Sequence, residues 1–93
     1  VKRAFQKAAY QNPMSATKSL VGHMLGASGA VEVIACLIAL RDGFIPPTAN
    51  LETPDPECDL DYTPRRSRTK RIQTACSISM GFGGQLGAIL ISR

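Results

Sequence analysis

The hydrophobic positions fall into blocks separated by stretches without regular pattern. Positions 1–10 read as the end of a helix, with Ala4, Phe5, Ala8 and Ala9 on one side and Lys2, Arg3 and Lys7 elsewhere, stopped by Asn12 and Pro13. Positions 14–20 alternate in character and include the β-branched Thr17, which predicts a short strand delivering Lys18 and Ser19 to its C-terminal end. Positions 21–41 open on glycines at 22, 26 and 29 and run into an unbroken apolar stretch at 33–40. Arg41, Asp42 and Gly43 then supply a helix stop, with Gly43 suited to a left-handed cap. This helix has no polar face, and a helix apolar on every side is buried on every side. One such helix and a few strands cannot furnish a layer above and a layer below it, so the covering layers are expected from more chain. Small residues at 22, 26, 27, 29 and 30 make the first turns slim enough for close backbone approach.

Four prolines between positions 46 and 56 exclude regular helix and central strand, so 44–62 is expected to be an ordered, extended surface crossing that continues through 65–70. Positions 71–79 and 88–91 predict two strands around the glycine turn at 81–84. The predicted order is helix end, strand, buried helix, crossing, strand, strand: an α/β piece with a helix against a mixed sheet.

Ninety-three residues amount to one domain or less. A hydrophobic content of 44% against 19% charged residues excludes the profile of a disordered chain. With Val1 in first place, the length reads as a piece of something larger. The net charge of +4 is polarised along the chain. Glu52, Asp55, Glu57, Asp59 and Asp61 crowd together, and Arg65, Arg66, Arg68, Lys70 and Arg71 follow directly. RNA-binding modules interleave aromatics with their bases, and 65–71 has none, so a solvated loop is the better reading and no nucleic-acid partner is expected. Cys36, Cys58 and Cys76 fit neither a closed disulfide set nor CxxC metal pairs, which points to a reducing, cytoplasmic setting. The run at 33–40 falls well short of the ~20 residues that span a bilayer, so no membrane association is expected.

His23 is the only histidine, so paired-imidazole metal binding is excluded and no metal is expected. A lone histidine among apolar residues is commonly a satisfied core group. Here, however, Lys18 precedes it by five positions, Glu32 follows by nine, and the intervening turn is glycine-rich. A cation, an imidazole and a carboxylate are thus tethered near one helix N-terminus. A neighbouring cation favours a neutral ring, which can donate a hydrogen bond to a developing oxyanion. Glu32 lies too far along the helix to meet His23 on one face, and its expected partner is Lys18 or another segment, since a buried carboxylate needs one. Gly81, Phe82, Gly83 and Gly84 could aim backbone N–H groups at an anion, or form an ordinary hairpin turn; the motif alone does not decide. Cys76 is rejected as a nucleophile, lying mid-strand with no helix N-terminus or local base to activate it.

S-A-T-K-S-L-V-G-H-M-L-G-A-S-G-A at 15–30, A-L-R-D-G-F-I-P-P-T-A-N-L at 39–51, D-P-E-C-D-L-D-Y at 55–62 and G-F-G-G at 81–84 together resemble the C-terminal quarter of a β-ketoacyl-[acyl carrier protein] synthase of the elongating, decarboxylating kind, as in bacterial fatty-acid and type II polyketide synthesis. The resemblance covers essentially the whole chain. It implies a thiolase-like α/β/α/β/α fold, of which residues 1–93 form part of the second half and the C-terminal part of a ketosynthase domain, not self-sufficient. It also implies the activity: a cysteine takes the acyl chain, malonyl-carrier protein is decarboxylated, and the resulting enolate attacks the acyl thioester. By match, His23 is the second catalytic histidine, stabilising the enolate; Lys18 is the lysine of the KSxxGH motif and Glu32 the acid that pairs with it. Phe82, flanked by Gly81 and Gly83, matches the phenylalanine whose N–H completes the oxyanion hole and whose ring gates the acyl pocket.

The family commonly reads N-S-F before G-F-G-G and T-N after it, where this chain has Ile78, Ser79, Met80 and then Gln85, Leu86, which points to a divergent or polyketide-type member. The nucleophilic cysteine and first catalytic histidine lie upstream in the family and have no counterpart here. The implied partners are therefore the remainder of the ketosynthase polypeptide, the acyl carrier protein, and a second subunit in a homodimer or ketosynthase heterodimer; no cofactor is implied. A catalytically silent chain-length-factor subunit is the rival within the family, disfavoured by retention of Lys18, His23 and Glu32. A small basic binding module using Arg65 to Arg71 is the rival outside it.

Overall fold

A computed structural model describes all residues 1–93. Helix α1 (Lys2–Phe5) passes at Gln6, φ 48°, into a 3₁₀ turn over Gln6–Tyr10. Of the four residues assigned to one side of this segment, only Ala9 is buried. A one-turn helix α2 (Lys18–Val21) and a 3₁₀ turn (Leu25–Ala27) lead into α3 (Ser28–Asp42). Strands β1 (Phe44–Ile45) and β2 (Arg68–Thr69) pair antiparallel at either end of the long crossing. Strands β3 (Thr74–Met80) and β4 (Leu86–Ser92) form an antiparallel hairpin around the glycine turn.

The strand expected at 14–20 is instead an extended lead-in to α2. Its backbone finds scattered partners rather than a ladder. Met14 N–H donates to Asp61 O at 2.8 Å, and Ala16 N–H to Thr48 Oγ1 at 3.1 Å. Ser19 then closes the helical turn, donating through both its N–H and its Oγ to Ala16 O. The expected mixed sheet is also corrected: both sheets are two-stranded and antiparallel, and the only parallel pairing is an isolated bridge between Thr48 and Pro64.

Helix α3 ends as its sequence predicts. Gly43 sits at φ 70°, ψ 47°, in the left-handed region that a side chain disfavours, and its N–H donates to Ala39 O at 2.9 Å. Its own carbonyl accepts from Lys70 N–H at 3.0 Å, which ties the helix stop to the return of the crossing. The predicted close approach at the first turns is not made within the chain, where a Cβ built at Gly26 or Gly29 would meet nothing within 4 Å.

The crossing is extended and ordered around two threonines. Thr48 N–H donates to Thr63 O at 2.8 Å and its hydroxyl to Tyr62 O at 2.6 Å. Fully buried Thr63 donates its hydroxyl to Met14 O at 2.8 Å. The acidic and basic tracts share one ion pair, in which Arg68 grips Asp61 in bidentate fashion at 2.5 and 2.6 Å. That pair and the Thr63 N–H hold the Asp61 carboxyl below the usual aspartate range against the opposing pull of burial.

Helix α3 crosses the hairpin mainly over β3. The pleat sends Ala75, Ser77 and Ser79 toward the helix. Cys76, Ile78 and Met80, with their β4 partners Leu90, Ala88 and Leu86, fall on the opposite face, which nothing covers. Met80 and Leu86 are each 77% exposed, and on α3 itself Ile34 and Leu37 stay about half exposed. Only eight residues are buried, and the accessible surface of 7002 Å² exceeds the roughly 5,200 Å² that size scaling gives a compact 10.0 kDa chain. The apolar helix predicted from sequence is therefore present but covered on one side only.

Candidate functional site

The site forms where the segment from α2 to His23 runs beside the first turns of α3. The crossing holds this segment in place: Thr48 Oγ1 accepts from Ala16 N–H, and Ser19 Oγ accepts from Ala49 N–H at 2.8 Å. Gly22, at φ 80°, ψ 176°, takes a conformation closed to side chains and turns the chain out of α2 so that His23 follows at once.

Lys18 and Glu32, matched by resemblance, are brought into a direct ion pair through Glu32 Oε1. Glu32 Oε2 faces the other way, toward the hairpin, accepting from Ser79 Oγ at 3.0 Å and, more loosely, from Ser77 Oγ at 3.4 Å. Burial alone would push the Glu32 carboxyl up. The hydrogen bonds from Lys18, Ser79 and Ser77, with the lysine charge, outweigh it and hold the group below the usual glutamate value of 4.5. The glutamate is thus a fixed anion joining α2, α3 and β3.

His23 does not touch Glu32, as its spacing predicts; its partners are Leu25 and Ser28. Leu25 N–H donates to His23 Nδ1 at 3.1 Å, and Ser28 Oγ lies 2.9 Å from the same nitrogen. An N–H aimed at Nδ1 requires a lone pair there, so the neutral ring carries its proton on Nε2. Leu25 makes this contact from φ 51°, where a non-glycine residue is strained by roughly 1–2 kcal/mol. Ser28 and Glu32 are one turn apart on the same face of α3, so the helix holds His23 at one rung and Lys18 at the next.

The glycine loop is a hairpin turn closed by Gly81 N–H donating to Gln85 O at 2.8 Å, with Gly83 and Gly84 at φ 80° and 84°. The Phe82 ring is fully exposed at its tip, and the N–H groups of Phe82, Gly83 and Gly84 find no backbone acceptor. Ser79, two residues before Gly81, anchors the base of this turn to Glu32. No hydrogen bond joins the turn to His23.

Sequence reasoning did not single out Ser28, Ser77 or Ser79. For the last two, a signal existed in the small polar residues alternating on one side of an apolar strand opposite a helix that carries a carboxylate.

The profile of the β-ketoacyl synthase C-terminal domain matches residues 1–52. The tetracenomycin polyketide synthase ketoacyl synthase alpha subunit of Streptomyces glaucescens is 50% identical over 92 residues, which is 99% of this chain and 22% of the relative. The 3-oxoacyl-[acyl-carrier-protein] synthase 2 of Coxiella burnetii is 48% identical over 93 residues, again 22% of its length. Among solved structures, a chain from the complex of a type II polyketide synthase acyl-carrier protein with its ketosynthase, bound to the hexaketide, superposes with a TM-score of 0.90 at 36% identity over 99% of this chain and 22% of that one. The chain thus spans about a fifth of the length of the relatives it matches.

Proposed function

The chain belongs to the β-ketoacyl synthase family, and on that premise we propose that residues 1–93 are the C-terminal part of a ketosynthase domain, supplying the decarboxylation histidine and the glycine gate of a β-ketoacyl-[acyl carrier protein] synthase. The thiolase-like α/β fold is shared with ketosynthase chains of known structure. The observation that carries the chemistry is the Leu25 N–H on His23 Nδ1, which leaves Nε2–H as a donor with no partner inside the chain.

When the malonyl thioester loses CO₂, the electron pair of the broken carbon–carbon bond moves toward the thioester carbonyl, forming an enolate. Nε2–H of His23 donates a hydrogen bond to that oxygen as its charge grows, keeping its proton. The enolate carbon then attacks the acyl thioester held on the nucleophilic cysteine, which the remainder of the polypeptide contributes, and the cysteine thiolate leaves. The Phe82 N–H, presented by Gly81 and Gly83, stabilises the tetrahedral oxyanion of that step, and the exposed ring closes over the acyl chain. Lys18, fixed by Glu32, adds positive charge beside the enolate and holds the α2 segment in register.

This reading makes the remainder of the ketosynthase, acyl- and malonyl-loaded acyl carrier protein, and a second subunit in a homo- or heterodimer the partners, acting in the cytoplasm. No helix is long and apolar enough to cross a membrane. The intact Lys18, Glu32 and His23 contacts favour the catalytic reading over a silent subunit.

In the complete enzyme, His23→Ala abolishes decarboxylation of malonyl-carrier protein, read as CO₂ release. It leaves acylation of the nucleophilic cysteine, read by intact mass, in place. Undiminished CO₂ release refutes the assignment.

A further inference from the structure

Ser28 opens α3, is 9% exposed, and its hydroxyl has two neighbours. Met24 N–H donates to Oγ at 2.9 Å, which occupies one lone pair of the oxygen and leaves its proton free. The other neighbour, at 2.9 Å, is His23 Nδ1. That nitrogen accepts from Leu25 N–H and has no proton to give, so a hydrogen bond at this contact runs from the hydroxyl to the nitrogen's one lone pair, shared with Leu25 N–H. We propose that Ser28 is a positioning residue for His23: its hydroxyl donates to Nδ1 and, with Leu25 N–H, locks the ring as the tautomer whose proton sits on Nε2.

The two donors act in different ways. Leu25 reaches the ring from a strained left-handed backbone that a short turn supports, with Ala27 N–H on Met24 O at 3.0 Å. Ser28 reaches it from the first turn of a fifteen-residue helix, the most rigid element nearby. A ring protonated on Nδ1 would meet Leu25 N–H donor to donor and would make the Ser28 hydroxyl turn from donating to accepting, so the competing tautomer loses both present hydrogen bonds and is directly opposed by the first. The hydrogen bonds also run in one direction, from Met24 N–H to the Ser28 hydroxyl to His23, with Nε2–H at the far end. Successive donors in such a chain polarise one another, which strengthens the last N–H as a donor. Ser28 also orders the Met24 turn through its acceptor side, a purely structural role, so the test must read the ring itself.

This inference rests on the function proposed for His23 only in its kinetic part. The complete ketosynthase, labelled with ¹⁵N-histidine and assigned with His23→Ala, is compared with Ser28→Ala and Ser28→Thr. In the wild type, Nδ1 gives the unprotonated and Nε2 the protonated type of resonance. Ser28→Ala moves the Nδ1 resonance toward that of an unbonded or mixed-tautomer ring and lowers kcat for malonyl decarboxylation by about 3- to 10-fold, the worth of one hydrogen bond. KM and acylation of the nucleophile stay unchanged. Ser28→Thr, which keeps the hydroxyl, restores both resonance and rate. A Ser28→Ala enzyme with wild-type resonances and kcat overturns the proposal, as does a Ser28→Thr enzyme that fails to recover while folding normally. If His23→Ala still decarboxylates but Ser28→Ala moves the ring resonance, the proposed function fails and the role of Ser28 stands.

Discussion

At the scale of single residues, Glu32 shows how one carboxylate can be buried safely. Its two oxygens are divided between Lys18 on one side and two serine hydroxyls on the other, so neither is left bare. Because the group is held below its ordinary value of 4.5, the unfolded chain binds more protons there than the folded one just below that pH. Stability from this site is therefore complete above 4.5 and is lost as pH falls through the folded-state value. In urea unfolding of the complete enzyme at a series of acid pH values, the wild type loses stability across this interval more steeply than Glu32→Gln; equal slopes rule the coupling out. The pairing of Lys18 with Glu32 was legible in the sequence, since a buried carboxylate demands a partner and the lysine was within reach. The serines were not. Hydroxyls leave no periodic mark, and Ser79 lies 47 positions from Glu32, so only the packing of strand on helix reveals the contact.

At the scale of elements, α3 and the final hairpin follow directly from their hydrophobic pattern, and the stop at Gly43 is where glycine is required. Gly43→Ala places a side chain at φ 70° and lowers stability by roughly 1–2 kcal/mol, read as a reduced urea midpoint of the complete protein; an unchanged midpoint contradicts the cap. The segment at 14–20 was misread because seven residues of mixed character are compatible with either period. Contacts with the crossing settle it: Thr48 and Ala49 bond to Ala16 and Ser19, and the chain between closes into a helical turn. Such partners lie some thirty residues away and cannot be read from local alternation.

At the scale of the molecule, large apolar side chains stand exposed in several places, and two of them are faces of the main elements. One is the outer side of α3 at Ile34 and Leu37; the other is the outer face of the hairpin from Met80 to Leu90. The expectation that one all-apolar helix needs layers on both sides follows from sequence alone, while the second bare face needed the strand register. Residues 1–93 expressed alone are expected to aggregate or to bind a hydrophobic dye without a cooperative transition. A soluble monomer with a sharp two-state melt and no dye binding refutes this.

The alternation along β3 also sorts the places where this chain leaves its family's habit. Ile78 and Met80, the departures before the glycine turn, point away from α3, whereas Ser77 and Ser79, which alternate with them, point toward Glu32. The side chains at 76, 78 and 80 make no bond to Glu32 and answer only to whatever lies over the outer face. Ser77 and Ser79 are yoked to the anion that holds the lysine. A lineage, or an engineer, can therefore redraw the outer side of the strand without disturbing the Lys18–Glu32 pair on its other side.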